Sequence, residues 1–406
     1  MSSFIYKIIW NSRTRDLVLW LLFYFYKIRK GRISCVCWSG TNYNCNPRAI
    51  TEKMVELGLV SKDSKTPFEI TYAFVNSERL AEKLPKEIQT VEIGSLKYFY
   101  LLATSQFVIS NTRFGGGMYW PFKKKKGQYY IQTMHGGHGI KKVEWDAELP
   151  IEYLDGAEKD RQYTDLMLSD SSYWTQIYRT SFRYQGEILE LGLPRNYVFF
   201  KRVSAESARS VGDKRYLIYT PTFRNNGRKD VYGFDVDKVI VALEKRFGGE
   251  WYIRVSSHPN MRSYYREIYD FSHPRMIDVG GEDLQPLLLS SDALITDYSS
   301  AEMDFSLRTV TRREGDEHVY PVFQLCKDRN DYDRGFYINP EDLPFPYAEN
   351  DEELIANILN FDNEKYLTDL EKFNREVIGL KETGHASEAV VEWMQAKARK
   401  CRAHES

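Results

Sequence analysis

Apolar runs of four to eight residues alternate with helical stretches along most of the chain. Residues 33–38, 68–75, 89–93, 107–110 and 129–131 carry the β-branched and aromatic make-up of buried strands. Residues 97–104 read as a helix, and another opens at Asn46-Pro47 with proline at its first position. A short strand over 165–169, a helix over 171–182 behind a serine cap and a strand over 188–193 continue the series. After a polar stretch at 204–214, strands are expected at 216–219, 251–255, 276–279, 293–296 and 321–325, with a helix at 284–290. An aromatic strand should follow Gly335, then a helix over 351–359 and a helical tail from Glu364 ending in KARKCR. Strands alternating with helices are the sign of βαβ units around parallel sheets, so the fold class is α/β. The expected parts are a helical segment 1–32, an N-terminal domain 33–205, a C-terminal domain 206–363 and a tail 364–406.

Residues 17–26, LVLWLLFYFY, are apolar on every side, but ten residues are half of the roughly twenty needed to cross a bilayer. Lys7, Arg13 and Arg15 precede the run and Lys27, Arg29, Lys30 and Arg32 follow it, with no small-residue cleavage site next. We read 4–30 as a helix lying in the membrane interface, aromatics at headgroup depth and cations on anionic lipid. The competing reading is a hydrophobic helix docked on its own domain or on a partner.

Composition narrows the picture. A chain of 406 residues with net charge −1 suits two domains and gives no argument for nucleic acid, since no basic run alternates with aromatics. The five cysteines, Cys35, Cys37, Cys45, Cys326 and Cys401, have neither disulfide-framework nor zinc spacing, which suits a reducing cytoplasm. Cys35 and Cys37 would share one face of a strand as small packing residues.

The densest chemistry lies in YYIQTMHGGHGIKKVEWD at 129–146, where a strand runs into His135, Gly136, Gly137, His138 and then Lys141 and Lys142. Glycines let the backbone turn sharply and approach a ligand. Ligands bind at the carboxyl edge of parallel strands, and imidazole accepts a proton near neutral pH. The same residues would also serve as a turn with a hydrogen-bonded structural histidine and solvated lysines. In the second half Thr222 and Arg224, His258, and Thr296, Asp297, Ser299 and Ser300 each follow a strand. Hydroxyl residues at a helix start offer backbone N–H groups and side-chain donors together, which suits a phosphate or an ordinary helix cap.

Seven segments in order, SGTNYNCNPRAI, QTMHGGHGIKK, ILELGLPRN, YTPTFRNN, SSHPN, LITDYSSAEMDF and DRGFY, make the chain resemble the CDP-glycerol glycerophosphotransferase family from Cys35 to about Leu359. These enzymes prime and polymerise glycerol-phosphate or ribitol-phosphate chains of teichoic acids and related capsules. The resemblance implies a GT-B architecture, two Rossmann-like domains facing a central cleft, with a membrane-associated surface on the N-terminal domain. It implies transfer of an alditol phosphate from CDP-glycerol, or alternatively CDP-ribitol, to a hydroxyl of a lipid-linked acceptor or growing polymer, releasing CMP. The setting would be the cytoplasmic face of the cell membrane, on an anionic surface, with the protein peripheral and open to forming homo-oligomers.

Carried across by motif, His135 is the general base and His258 the second catalytic or phosphate-binding histidine. Gly136, Gly137, Thr222, Arg224, Thr296, Asp297, Ser299 and Ser300 would bind CDP-alditol and its phosphates, with His138, Lys141 and Lys142 as a candidate acceptor site. No metal or other cofactor is expected, because His258, Arg224, the hydroxyls and a helix N-terminus can meet the phosphoryl charge. Two departures stand out. The family turn has a small residue and proline after His-Gly, so His138 rivals His135, which its place directly after the strand favours. The charged segment 308–320 replaces a more direct run into an apolar strand and reads as an exposed loop. A sugar-nucleotide glycosyltransferase and an inactive membrane scaffold are the readings from other classes.

Overall fold

The computed structural model describes residues 17, 21, 23–61, 67–114, 124–137, 139–201, 213–224, 228–256, 265–312, 318–332 and 334–403. His138 and His258 lie outside the described residues, as does most of the 204–214 stretch.

Two parallel sheets organise what is described. The first holds β1 (Arg29–Val36), β2 (Glu69–Phe74), β3 (Gln89–Glu92), β4 (Ser105–Ser110), β5 (Tyr129–Gln132), β6 (Thr164–Ser169) and β7 (Glu187–Glu190). Their order is β3-β2-β1-β4-β5-β6-β7. The second holds β8 (Lys214–Thr220), β9 (Glu250–Val255), β10 (Met276–Asp278), β11 (Ala293–Thr296), β12 (Val322–Leu325) and β13 (Tyr347–Ala348), in the order β10-β9-β8-β11-β12-β13. All pairings within the two sheets are parallel, which requires crossovers and covers both faces. In β1 the faces separate with period two: Ile33 and Cys35 pack with Ile70, Tyr72 and Ile131, while Val36 joins Ala73, Val108 and Tyr130 on the other side. Cys35 and Cys37 are buried packing residues on one face, as their spacing predicts.

In each sheet the strand order reverses direction beside the first strand, between β1 and β4 and between β8 and β11. Such switch points open a crevice at the carboxyl ends of the strands.

Several boundaries differ from the sequence reading. Arg29 and Lys30 open β1 rather than close a helix; Arg29 pairs with Glu69, and Arg32 is buried against Glu69 and Thr104, so these cations are held by the protein. Sheet pairing with β2 outweighs the local helical pattern. Pro47 is the third residue of the helix Cys45–Glu56, which Asn44 precedes. Between Gly335 and β13 there is a single antiparallel bridge, Lys141 with Phe336, and no strand. The 308–320 segment is not wholly exposed: Arg308 and Thr309 are buried in the helix Ala301–Val310, and the Arg308 guanidinium donates to the carbonyls of Leu288 and Ser291 and lies over Tyr320. Residues 313–317 lie outside the description.

Of the N-terminal run, Leu17, Leu21 and Phe23 to Phe25 are helical. Phe23 is buried with Tyr98 and Phe99, so this end docks on the first sheet's own helix Leu96–Thr104, whereas Leu17, Leu21, Tyr24 and Phe25 are exposed. Among the described residues no helix is long and apolar enough to cross a membrane. The tail divides between the units. Tyr366, Leu370 and Phe373 complete the second core, and the helix Ala386–Ala403 returns to the first, where Val390, Trp393 and Met394 pack and Trp393 meets Tyr129 edge-on at 5.8 Å.

Candidate active site

Three strand ends meet at the first switch point. Behind β1 a tight turn carries Trp38, whose backbone N–H donates to Asn111 Oδ1 at 2.8 Å just beyond β4. Behind β5 comes His135, whose Nδ1 lies 2.9 Å from the Asn111 carbonyl and whose ring packs on Trp38 with centroids 4.5 Å apart. A carbonyl can only accept, so Nδ1 carries the hydrogen and the neutral ring has its lone pair on Nε2. His135 as a residue is exposed at the strand end.

The turn bearing His135 is held from below. Met134 adopts the left-handed conformation, with φ 50, and Asn46 Nδ2 donates to the carbonyls of Thr133 and Met134 at 3.1 and 3.0 Å. Arg195 adds a bond from Nη1 to the His135 carbonyl, and its own N–H donates to Asn46 Oδ1 at 3.0 Å. Gly137 is required by space, since a Cβ there would stand 2.0 Å from Asp170 Oδ2. At Gly136 a Cβ would lie 3.1 Å from Ser300 Oγ, and at Gly139 one would lie 3.8 Å from Ser300 Cβ. The histidine turn of the first unit therefore abuts the start of the helix Ala301–Val310 in the second.

At the second switch point Asp297 ties the strand ends together. Its carboxylate accepts the N–H of Thr222 at 2.9 Å and of Tyr298 at 2.6 Å, and pairs with Arg224 at 2.9 Å. Arg224 is also bonded to Asp328 at 2.6 Å and lies against Tyr298 and Tyr332, buried. Thr296 is fully buried with its hydroxyl on the Thr220 carbonyl at 2.7 Å. Arg224, Asp297 and Thr296 are thus interior groups that shape the turns. Thr222, whose buried Oγ1 has no hydrogen-bond partner among the described residues, and Ser299 and Ser300 are the hydroxyls nearer the junction. Ser300 precedes its helix without capping it through the side chain, and Ser299 Oγ accepts from Ala301 at 3.3 Å. Beneath them Glu302 is completely buried, and burial raises its carboxyl well above the usual range.

Residues 19–395 match the family described as CDP-Glycerol:Poly(glycerophosphate) glycerophosphotransferase. The chain belongs to this family. It is 27% identical over 380 residues to the teichoic acid poly(glycerol phosphate) polymerase of Bacillus spizizenii, covering 87% of this chain and 89% of the relative. It is 28% identical over 372 residues to the teichoic acid glycerol-phosphate transferase of Staphylococcus aureus, covering 86% and 89%. Its fold matches that of the wall teichoic acid polymerase TagF with a TM-score of 0.77, over 98% of this chain and 97% of that chain, at 24% identity.

Within this glycerophosphotransferase the two candidate lysines differ. Burial, followed by the neighbouring cations Arg334 and Arg224 and opposed by Asp297 and Glu302, pushes the Lys141 ammonium down from 10.5 to about 8. Lys142 is fastened by its backbone, its N–H to the Gly335 carbonyl at 2.8 Å and its carbonyl to Arg334 Nη2 at 2.6 Å.

Apart from Asp304, which the sequence places close to the hydroxyls at 296–300, the supporting polar residues were the part not found from sequence. Trp38, Asn46, Asn111, Arg195, Asp304 and Gln285 join the two switch points, and Asp304 Oδ2 receives both Arg195 and Gln285. Asn46 and Arg195 stood inside the diagnostic segments, and Asn111 follows its strand much as His135 follows β5.

Proposed function

We propose that this transferase has the GT-B arrangement, residues 33–205 and 206–363 facing a cleft whose two lips are the His135 turn and the Ser300 helix start. In this reading it passes glycerol phosphate from CDP-glycerol to a hydroxyl of a lipid-linked acceptor or growing chain. The observation that carries the reading is the His135 Nδ1 to Asn111 carbonyl bond, which aims a basic Nε2 from the first switch point while Ser300 stands against the same turn.

In the reaction, the acceptor hydroxyl gives its proton to His135 Nε2 as its oxygen forms a bond to the phosphorus bearing glycerol. The bond from that phosphorus to the bridging oxygen breaks, and the electron pair leaves with CMP. Ser299, Ser300 and Thr222 meet the donor's phosphate charge at the positive end of the helix Ala301–Val310, with Arg224, Asp297 and Thr296 holding those groups in place. His258 follows the end of β9, the neighbour of β8, and is assigned to the leaving phosphate. These groups suffice without a metal, so chelation by EDTA should leave the rate unchanged.

A peripheral place on the cytoplasmic face of an anionic membrane is supported by the exposed apolar residues of the N-terminal helix. Relatives include a teichoic acid poly(ribitol-phosphate) polymerase, which keeps CDP-ribitol as the second donor to test.

The deciding experiment is CMP release from CDP-glycerol and from CDP-ribitol with a lipid-linked acceptor analogue. His135→Ala should lower kcat/KM about 10²- to 10⁴-fold while CDP-glycerol binding is kept. An active His135→Ala with an inactive His138→Ala would move the base to His138, and no CMP from either donor would overturn the proposal.

A further inference from the structure

Next to the His135 turn the two units are laced by backbone. The Tyr337 N–H donates to the Ile140 carbonyl at 2.7 Å, the Lys142 N–H to the Gly335 carbonyl at 2.8 Å, and Lys141 bridges Phe336. Gly335 permits the closeness, since a Cβ there would stand 3.0 Å from Lys142 Cδ. This lacing sets Lys141 of the first unit and Arg334 of the second side by side, close enough that each repels the other's charge.

Asp297 attracts the Lys141 charge more than Arg334 repels it and so offsets it in part. Among the described residues the Lys141 ammonium has no hydrogen bond or ion pair, although burial is the main influence on it. Arg334 donates one N–H to the Lys142 carbonyl and keeps a buried Nε without a partner. Asp297 and Asp328 are engaged with Arg224, and Glu302 is held toward its neutral form with Oε1 also unpartnered. Two like charges brought together at half-buried positions and left with spare donors are unfavourable unless something anionic completes them. The backbone lacing keeps them there. Gly139, two residues before Lys141, packs against Ser300, so the pair borders the place where the transferred phosphate would sit.

We infer that Lys141 and Arg334, one from each unit, form a clasp for a phosphate group of a substrate: the donor's pyrophosphate or a phosphodiester of the growing chain. The pair differs in kind from Arg224, which two carboxylates already neutralise. Because its halves come from separate units, the bound anion would replace their repulsion with two attractions and draw the units together. Only the identity of the substrate rests on the proposed function; the anion site itself does not.

The test is titration calorimetry of the full chain with pyrophosphate and with CDP-glycerol, alongside kinetics with a short poly(glycerol phosphate) acceptor. The variants are Lys141→Gln, Arg334→Gln and Lys141→Arg, each checked for an unchanged thermal transition. If donor phosphate is the ligand, each Gln variant should weaken pyrophosphate and CDP-glycerol binding about tenfold or more, with Lys141→Arg retaining most of it. If chain phosphate is the ligand, donor binding stays as in the wild type while KM for the acceptor rises about tenfold and Lys141→Arg again holds it near the wild-type value. Should all four proteins share the same donor affinity and the same acceptor KM, the clasp is overturned. Pyrophosphate binding that depends on the pair, in an enzyme releasing no CMP from CDP-glycerol, would sustain the clasp and remove the proposed donor.

Discussion

Arg195 and Asp304 form a buried ion pair that joins the two units, and the same guanidinium donates to the carbonyl of His135. The His135 turn is thereby positioned by a contact that reaches into the helix Ala301–Val310. Arg195→Met leaves Asp304 buried without its cation and should lower stability by about 3–5 kcal/mol, read from denaturant unfolding. An Arg195→Met/Asp304→Leu double variant should recover much of that loss. Its kcat should still fall about tenfold to hundredfold, because the Arg195 bond to the His135 carbonyl is still lost. Equal recovery of stability and kcat would show that Arg195 only packs.

Gly136 and Gly137 are adjacent, yet their neighbours differ. Gly137→Ala drives a methyl into the buried Asp170 carboxylate and should destabilise by about 1–3 kcal/mol in thermal unfolding. Among the described residues Gly136→Ala meets only Ser300, so its melting temperature should stay close to the wild type while CDP-glycerol binding weakens in calorimetry. A reversed pattern would contradict the described packing.

The Lys141 ammonium, pushed down to about 8 mainly by burial, is charged below that pH and neutral above it. Asp297 and Glu302 oppose the shift, and Arg334 and Arg224 reinforce it. Anion affinity should therefore fall as pH rises through about 8. In Lys141→Arg, whose guanidinium stays charged, calorimetry with pyrophosphate should show a flat profile over the same range.

Glu382 reaches back from the tail to accept the Leu193 N–H at 3.0 Å and Asn196 Nδ2 at 2.7 Å. Burial, then the Asp170 and Asp304 charges, raise its carboxyl well above the ordinary range, against those two hydrogen bonds. A raised carboxyl contributes stability that is full below its unfolded value of about 4.3 and is lost as pH rises through the folded value. Melting temperature should decline across that window, and Glu382→Gln, neutral throughout, should flatten the decline.

Leu17, Leu21, Tyr24 and Phe25, 55%, 38%, 71% and 68% exposed, stand at positions i, i+4, i+7 and i+8 of one helix face, opposite the docked Phe23. Replacing each by serine should weaken sedimentation with anionic vesicles about tenfold per residue if that face enters the interface. Unchanged partitioning would leave docking through Phe23 as the helix's whole role.

Much of this protein was legible one segment at a time. The run of apolar positions marked β1, β2, β4, β5 and their second-sheet counterparts, because burial on both faces writes itself into most residues of a parallel strand. His135, Gly136 and Ser300 announced themselves by residue type at strand ends. Local pattern failed where distant pairing overrode it: Arg29 and Lys30 joined a sheet through β2, and Arg308 was taken into the interior by the carbonyls of Leu288 and Ser291.

What the amino-acid order determined by itself was the alternation of elements and the chemistry placed at their ends. The tertiary structure alone decided which ends meet. Arg195 and Asp304 are 109 residues apart, and Lys141 and Arg334 come from different units; no local period encodes either pairing. Strand order set those distances, since it places β1, β4 and β5 side by side in one sheet, and β8 and β11 in the other. Polar groups so far apart in the chain acquire their roles only when that order brings them out of water together.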